Sequence, residues 1–278
     1  KGYLKNLSRF YFILGLSLLI PIVGGVILAP LITSYSPQAF DFATLGTPQL
    51  PSLLHPLGTD IYGRDILSRL LYGGRVSLSV ALVAVSISVC LGTFLGSMSA
   101  LFGKVFDFLF MRFVDAMLSF PLIFLLLAVQ SVLKRPEIIY TMVIIGFTSW
   151  MGIARLVRTQ ALSIKTSNYV EASKMFGADN MWILRKHILP NVLNIVLVTS
   201  VLGMSSAIMT ESALSFLGLG VQPPYASWGN MLGEAQDFFL EYPHLLIFPG
   251  LCITFSVLGF NFLGEGLRLY MNPKEREK

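Results

Sequence analysis

Charged residues are scarce in this sequence: only 13% of its 278 residues are Asp, Glu, Lys or Arg, whereas 54% are hydrophobic. Soluble globular domains carry about 25% charged residues, so the composition excludes an ordinary soluble domain. The cysteines, Cys90 and Cys252, and the three histidines are too few and too scattered for a disulfide framework or a metal cluster. No Gly-x-x-x-x-Gly-Lys-Ser/Thr stretch occurs, so the sequence has no P-loop to hold nucleotide phosphates.

Long apolar runs make up most of the sequence. Six stretches without an acidic or basic side chain are long enough to cross a membrane as helices, whereas barrel strands would be shorter and alternating. We therefore predict an all-α polytopic membrane protein, a single domain over 1–278 with about six transmembrane helices. The predicted spans are 10–32, 76–102, 106–133, 137–162, 191–218 and 244–270. The first apolar run is too long for a signal peptide, which predicts an uncleaved span.

The distribution of positive charge predicts the orientation in the membrane. With the N-terminus inside, 15 of the 20 lysines and arginines lie on the cytoplasmic side, as the positive-inside rule requires. Both termini and the 163–190 segment are then cytoplasmic. The loop 33–75, the short turn 134–136 and the loop 221–243 face outward.

The 163–190 segment is rich in charge for this chain and has the pattern of a helix-turn-helix. After a first short helix, Gly177 suits a turn with a left-handed backbone. Asp179 is placed to cap a second helix over 180–188, which Pro190 would end. Apolar side chains stand among the charges, and such a surface suits docking into a groove on a partner protein.

The stretch 171–191, EASKMFGADNMWILRKHILPN, resembles the cytoplasmic EAA loop of ATP-binding-cassette importer permeases. In that family the loop is the coupling element that sits in a cleft of the ATPase subunit. Ser173 stands where the family has Ala and His187 where it has Ile, and the ending resembles the peptide-importer branch. The implied ATPase-coupling interface comprises Glu171, Ala172, Ser173, Gly177, Asp179, Met181, Trp182, Arg185, His187, Leu189 and Pro190. A plain interfacial amphipathic helix is the competing interpretation.

A second signature lies on the predicted outer side. The stretches HPLGTDIYGRDILSRLLYGGRVSL at 55–78 and ESALSFLGLGVQPPYASWGNML at 211–232 resemble the C-type permease subunit of dipeptide, oligopeptide and nickel importers. Apolar residues at helical spacing over 64–72 predict a short amphipathic helix lying on the outer face before the second span. Asp65 and Arg69 are four residues apart, in the order that favours a helix-face ion pair.

Glu211 lies near the outer end of the fifth predicted span, and intramembrane carboxylates usually mark functional positions. Two roles are open for it. It could line an outer gate and meet peptide amines, or it could fix the end of the span through hydrogen bonds. On the first alternative, the predicted translocation path includes Glu211, Ser212 and Ser215.

The resemblance also implies a function and an assembly. The chain would be a prokaryotic inner-membrane permease subunit without enzymatic activity, forming half of the translocation path of an ATP-driven peptide importer. Nickel chelates or another small solute are the alternative cargo. Implied partners are a related permease, two ATPase subunits that bind ATP and Mg, and an extracytoplasmic solute-binding protein. The chain itself would bind no cofactor, metal or nucleic acid.

Two functions of other classes compete with this interpretation. An ion-coupled secondary carrier would need ionisable residues near the membrane midplane and inverted repeats, and no such repeat is evident. A membrane enzyme would need a nucleophile beside a base within the membrane, and the sequence offers no convincing pair. Both are weaker than the importer interpretation.

Overall fold

Helices form nearly all the regular structure of residues 2–41, 45–132 and 137–271, the parts of the chain that the computed structural model describes. Their bounds are α1 Gly2–Ile27, α2 Ala29–Ile32, α3 Ile66–Leu101, α4 Lys104–Ser119, α5 Leu122–Val132, α6 Ile138–Lys165, α7 Asn168–Met175, α8 Asn180–Ile183, a π-helical turn Leu184–Ile188, α9 Leu189–Phe216, α10 Trp228–Ala235 and α11 His244–Met271. The predicted turn 134–136 and the C-terminal residues 272–278 lie outside the described residues.

Five of these helical segments are long and apolar enough to span a membrane, and α4 with α5 makes a sixth if the bent pair is one span. The described ranges contain no β-strand. The prediction of an all-α polytopic membrane protein with about six spans is therefore confirmed.

The centre of the bundle is the pair α3 and α6, with α9 packed against both. Small residues let the two backbones approach closely, as is common where membrane helices meet. A Cβ atom on Gly96 of α3 would lie only 2.4 Å from the carbonyl oxygen of Ala154 on α6. Near the middle of the same contact, the Ser88 hydroxyl donates to the Gly146 carbonyl oxygen at 2.9 Å. A second close pair, α1 with α11, lies beside this core, where the Ser8 hydroxyl donates to the Gly266 carbonyl oxygen at 2.8 Å.

The predicted short helix over 64–72 does not exist as a separate element. Asp65 caps α3 through Ser68 N, and α3 then runs for 36 residues without a break into the second span. The glycines after Tyr72 lie inside the helix, where the absence of a side chain makes room for a neighbouring segment. A Cβ atom on Gly74 would lie 2.8 Å from the Trp228 ring.

The third predicted span, 106–133, is broken. Helices α4 and α5 meet at an angle of 87°. The cause is local, because Pro121 disfavours helical backbone at the residue before it, and Phe120 is extended with φ −82° and ψ 134°. The prediction of a single continuous helix over 106–133 was wrong.

Pro190 does not end the second helix of the 163–190 segment, as the sequence had suggested. The helical backbone runs continuously from Asn180 to Phe216, with the π-helical turn just before the proline. A proline lacks the amide hydrogen of an α-helical bond and crowds the preceding turn. The wider turn, in which Leu189 N bonds to the Leu184 carbonyl, accommodates the proline without a break.

Candidate functional site: the 163–190 segment

The turn at the centre of the 163–190 segment has the predicted geometry. Gly177 has a φ of +85°, in the left-handed region that favours glycine. Asp179 then caps α8, with its Oδ1 atom accepting a hydrogen bond from Trp182 N at 2.8 Å. Both local predictions are confirmed, and α7 and α8 are therefore two arms joined by a defined turn.

One face of the segment is anchored in the protein. Val170 of α7, Ile183 of α8 and Ile188 of the π-helical turn are all fully buried. They form one apolar cluster with Leu101 at the end of α3 and Ile164 at the end of α6. Because both arms are pinned to two spanning helices, the segment is not a loosely attached interfacial helix.

The opposite face projects away from the bundle. Met175 is 85% exposed and Phe176 is 92% exposed. Phe176 and Trp182 both line a concavity at the turn between α7 and α8. Each predicted interface residue is exposed or half-buried, namely Glu171, Ala172, Ser173, Gly177, Asp179, Met181, Trp182, Arg185, His187, Leu189 and Pro190. Large exposed apolar side chains among charges are typical of a protein-docking surface.

His187 connects the two arms of the segment. Its Nε2 atom lies 3.0 Å from the Ser173 hydroxyl on α7. Its ring lies against Tyr169 of α7 and Trp182 of α8, with ring centroids 5.3 Å and 5.0 Å away. These contacts fix the angle between α7 and the start of α9.

With the function that the resemblance implies, His187→Ala is expected to loosen this angle and to lower transport several-fold, while ATP hydrolysis by the assembled transporter continues. The lost hydrogen bond and ring contacts are worth about 1–2 kcal/mol together. The ratio of substrate molecules transported to ATP molecules hydrolysed measures the effect. The neighbouring exposed residue gives the matched control, Lys186→Ala. An unchanged ratio in His187→Ala would contradict a role for this contact in coupling.

The residues predicted for the translocation path lie at the other end of α9, inside the packing between helices. Glu211 is completely buried, and Ser212 and Ser215 nearly so. The burial favours the second of the two roles that the sequence left open for Glu211. None of the three lines an accessible surface of this chain.

Two hydroxyl groups link Glu211 to the loop and helix that follow α9. Ser77 donates to Glu211 Oε2 at 2.9 Å and accepts from Trp228 N at 3.1 Å. Ser215 donates to Glu211 Oε1 at 2.7 Å and accepts from Val221 N at 3.0 Å. Each hydroxyl thus donates its single proton to the carboxylate and accepts from a backbone N–H. These bonds connect α9 to α3 and to α10.

A largely buried cluster of four charged residues was not predicted from the sequence. The Arg64 and Arg69 guanidinium groups each bond both Asp60 and Glu234, at distances from 2.6 to 3.0 Å. Asp65 instead caps α3, so its predicted pairing with Arg69 was wrong. Burial raises the pKa of the Glu234 carboxyl, against the opposing attraction of Arg64. The many charged residues in the 55–78 stretch indicate that ion pairs form there. They do not identify Glu234 as a partner, because Glu234 is distant in sequence.

Comparisons with known proteins agree with this architecture. Residues 92–277 match the family model described as binding-protein-dependent transport system inner membrane component. A Brucella suis protein named as a peptide transport system permease is 39% identical over 272 residues, which cover 97% of this chain and 90% of the relative. The oligopeptide transport system permease protein OppC of Haemophilus influenzae is 41% identical over 222 residues, covering 80% of this chain and 71% of OppC. The chain therefore belongs to the binding-protein-dependent inner membrane components, the multi-pass permease subunits of ATP-binding-cassette importers.

Proposed function

We propose that this chain imports peptides as one of two permease subunits in an ATP-driven transporter, and that its 163–190 segment docks into the ATPase. The observation that carries this proposal is the segment itself, pinned on one face and projecting Met175 and Phe176 on the other. The relatives named as peptide and oligopeptide permeases support a peptide cargo. Nickel chelates or another small solute remain the alternative cargo.

The proposed assembly contains a related permease subunit, two ATPase subunits and an extracytoplasmic solute-binding protein. ATP and Mg belong to the ATPase subunits, since this sequence has no P-loop. Both termini and the 163–190 segment are cytoplasmic in this proposal. The chain contributes a path and a docking surface, and it binds no cofactor and catalyses no reaction itself.

Coupling follows from how the segment is attached. Because Val170, Ile183 and Ile188 pack on the ends of α3 and α6, a displacement of the segment by the ATPase displaces those helices too. The continuous helix from Asn180 to Phe216 extends the displacement across the membrane, over about 55 Å at 1.5 Å per residue. ATP and peptide drive the cycle only through different affinities for the inward-open and outward-open states.

Purification of the tagged chain from its native membrane, followed by uptake of a labelled peptide into proteoliposomes, tests the proposal. A second permease, two ATPases and a binding protein should copurify. Uptake should require ATP and stop when the P-loop lysine of the ATPases is replaced. Uptake that persists with inactive ATPases and follows an ion gradient would contradict the proposal and favour a secondary carrier.

A further inference from the structure

A groove runs along one face of α9 for most of its length. Near mid-helix, a concavity of about 280 Å³ lies between α3, α6 and α9. A second, of about 510 Å³, lies between α6, α9 and α11 toward the 163–190 segment. The two adjoin, because Thr199 and Leu202 line both. Together they form what we call the α9 groove, whose α9 residues recur every three or four positions: Asn191, Asn194, Ile195, Val198, Thr199, Leu202, Gly203, Ser206 and Ala207.

The groove carries polar side chains among its mainly apolar lining residues, although it lies on spanning helices. Its part near the 163–190 segment carries the exposed carboxamides of Gln160, Asn191 and Asn194. Its mid-helix part carries the hydroxyls of Ser149 and Ser206. Elsewhere α9 presents large apolar side chains such as Leu193 and Leu197 at its surface. Uncharged amides and hydroxyls are costly against lipid, so such groups in membrane helices normally face protein or a water-filled cavity.

We propose that the α9 groove is this chain's side of the translocation path, and that it contacts the uncharged main chain of a passing peptide. The inference rests on the proposed function. Carboxamides and hydroxyls both donate and accept, and so they match the N–H and C=O groups that all peptides share. Among the described residues lining the groove, Arg268 is the charged one, and it is ion-paired with Glu265 at 2.7 Å. The groove therefore does not select peptides by the charge of their side chains.

The groove is also joined directly to the 163–190 segment. At its end nearest that segment, the Asn191 side chain donates to the His187 carbonyl oxygen at 2.6 Å. His187, which connects the two arms of the 163–190 segment, is thus bonded to Asn191, the first polar residue of the groove. Displacement of the segment consequently reorients the groove as well.

Obstruction of the groove is the first test. Gly152 lines the groove, and a Cβ atom there would meet no atom within 4 Å, so the side chain of Gly152→Trp can leave the backbone without a clash and extend into the groove. Gly24 of α1 has equally open surroundings and lies outside the groove, which makes Gly24→Trp the matched control. Peptide uptake should fall at least about tenfold in Gly152→Trp and stay near wild type in Gly24→Trp, with equal recovery of the partner subunits. Normal uptake by Gly152→Trp would overturn the proposal.

Introduced charge gives a signature that a structural defect would not produce. Asn194→Asp should favour cationic over acidic peptides of equal length by about 30-fold, and Asn194→Lys should reverse the preference. Two charges about 4 Å apart in water change an affinity about fivefold, and the attraction of one peptide multiplies the repulsion of the other. Equal effects on both peptides would overturn the contact with passing peptide. If the wild-type transporter takes up no peptide at all, the proposed function is wrong. That outcome differs from normal wild-type uptake without a charge preference in the variants, which would overturn the groove proposal alone.

Water access can be measured without any transport assay. In a chain carrying Cys90→Ala and Cys252→Ala, a membrane-impermeant thiol reagent should label Thr199→Cys in the groove. It should not label Leu197→Cys, which lies at nearly the same depth on the apolar face of α9. Labelling of Leu197→Cys alone would overturn the assignment of the groove to the path.

Discussion

Glu211→Ala is expected to lower the free energy of unfolding by about 3–5 kcal/mol, the largest stability effect that we predict for a single substitution. The substitution removes the acceptor of both the Ser77 and the Ser215 hydroxyls. Each hydroxyl proton would then be buried without an acceptor, and a cavity would remain where the carboxylate was. The N–H groups of Val221 and Trp228 would still donate to the Ser215 and Ser77 hydroxyls, but the carboxylate would no longer polarise these acceptors.

Unfolding of the purified chain in mixed micelles with increasing denaturing detergent measures this effect. Glu241→Ala is the matched control, because Glu241 is an exposed carboxylate in the loop that follows α10, and its loss should change stability by less than about 0.5 kcal/mol. Glu211→Gln should fall between the two, because its amide oxygen still accepts while its amide nitrogen donates. Equal stability of Glu211→Ala and Glu241→Ala would show that the buried carboxylate does not hold this end of the bundle.

Gly177→Val is expected to abolish coupled transport while the chain still inserts and recruits its permease partner. The φ of +85° at this position is strongly unfavourable for a β-branched residue, so the turn between α7 and α8 must change. Open space surrounds Gly177, and backbone conformation alone is therefore the cause. The change would move Phe176 and Trp182 away from the surface on which the ATPase is proposed to close.

Gly177→Asn separates backbone strain from side-chain bulk, because asparagine tolerates the left-handed region far better than valine does. Uptake should be largely retained in Gly177→Asn and lost in Gly177→Val, measured at matched amounts of assembled transporter. The rate of ATP hydrolysis stimulated by the loaded binding protein should change in the same order. Normal uptake by Gly177→Val would contradict the coupling role of the turn.

One of these substitutions lies just before the continuous helix from Asn180 to Phe216, and the other lies near its end. Gly177 sets the geometry of the 163–190 segment, and Glu211 fixes the far end of α9 to α3 and α10. The groove lies between them on α9. A helix held at one end and displaced at the other tilts rather than slides, and this is the movement that alternating access requires of the proposed path.

Features that depend on neighbouring residues were predictable from the sequence. The apolar runs gave the spans, because a helix satisfies its own backbone hydrogen bonds within lipid wherever its residues are apolar. The left-handed turn at Gly177 and the cap at Asp179 follow from residue type and position. The bend at Pro121 was equally local, and its signal was present in the sequence but was not used.

Features that depend on distant residues were not predictable. Glu211 could be assigned neither to a gate nor to a structural role until Ser77 from α3 was placed beside it. Pairing of Arg69 with its neighbour Asp65 was expected from spacing, yet Glu234, 165 positions along the chain, offered a buried bond instead. Residue spacing indicates which ion-pair partners are possible within one helix. Tertiary contacts bring in further partners from distant parts of the sequence, and these compete with the local ones.

The sequence by itself determined that this protein is an all-α membrane permease with about six spans and a helix-turn-helix segment over 163–190. Composition and local backbone preference suffice for that, because each spanning helix satisfies its backbone hydrogen bonds within itself and each turn depends on its own residues. Only the tertiary structure decided which polar residues on the spanning helices are enclosed and which are accessible. Whether a serine or carboxylate on a spanning helix is enclosed or accessible depends on the helices that pack beside it, and the α9 groove is formed by four helices that are far apart in sequence.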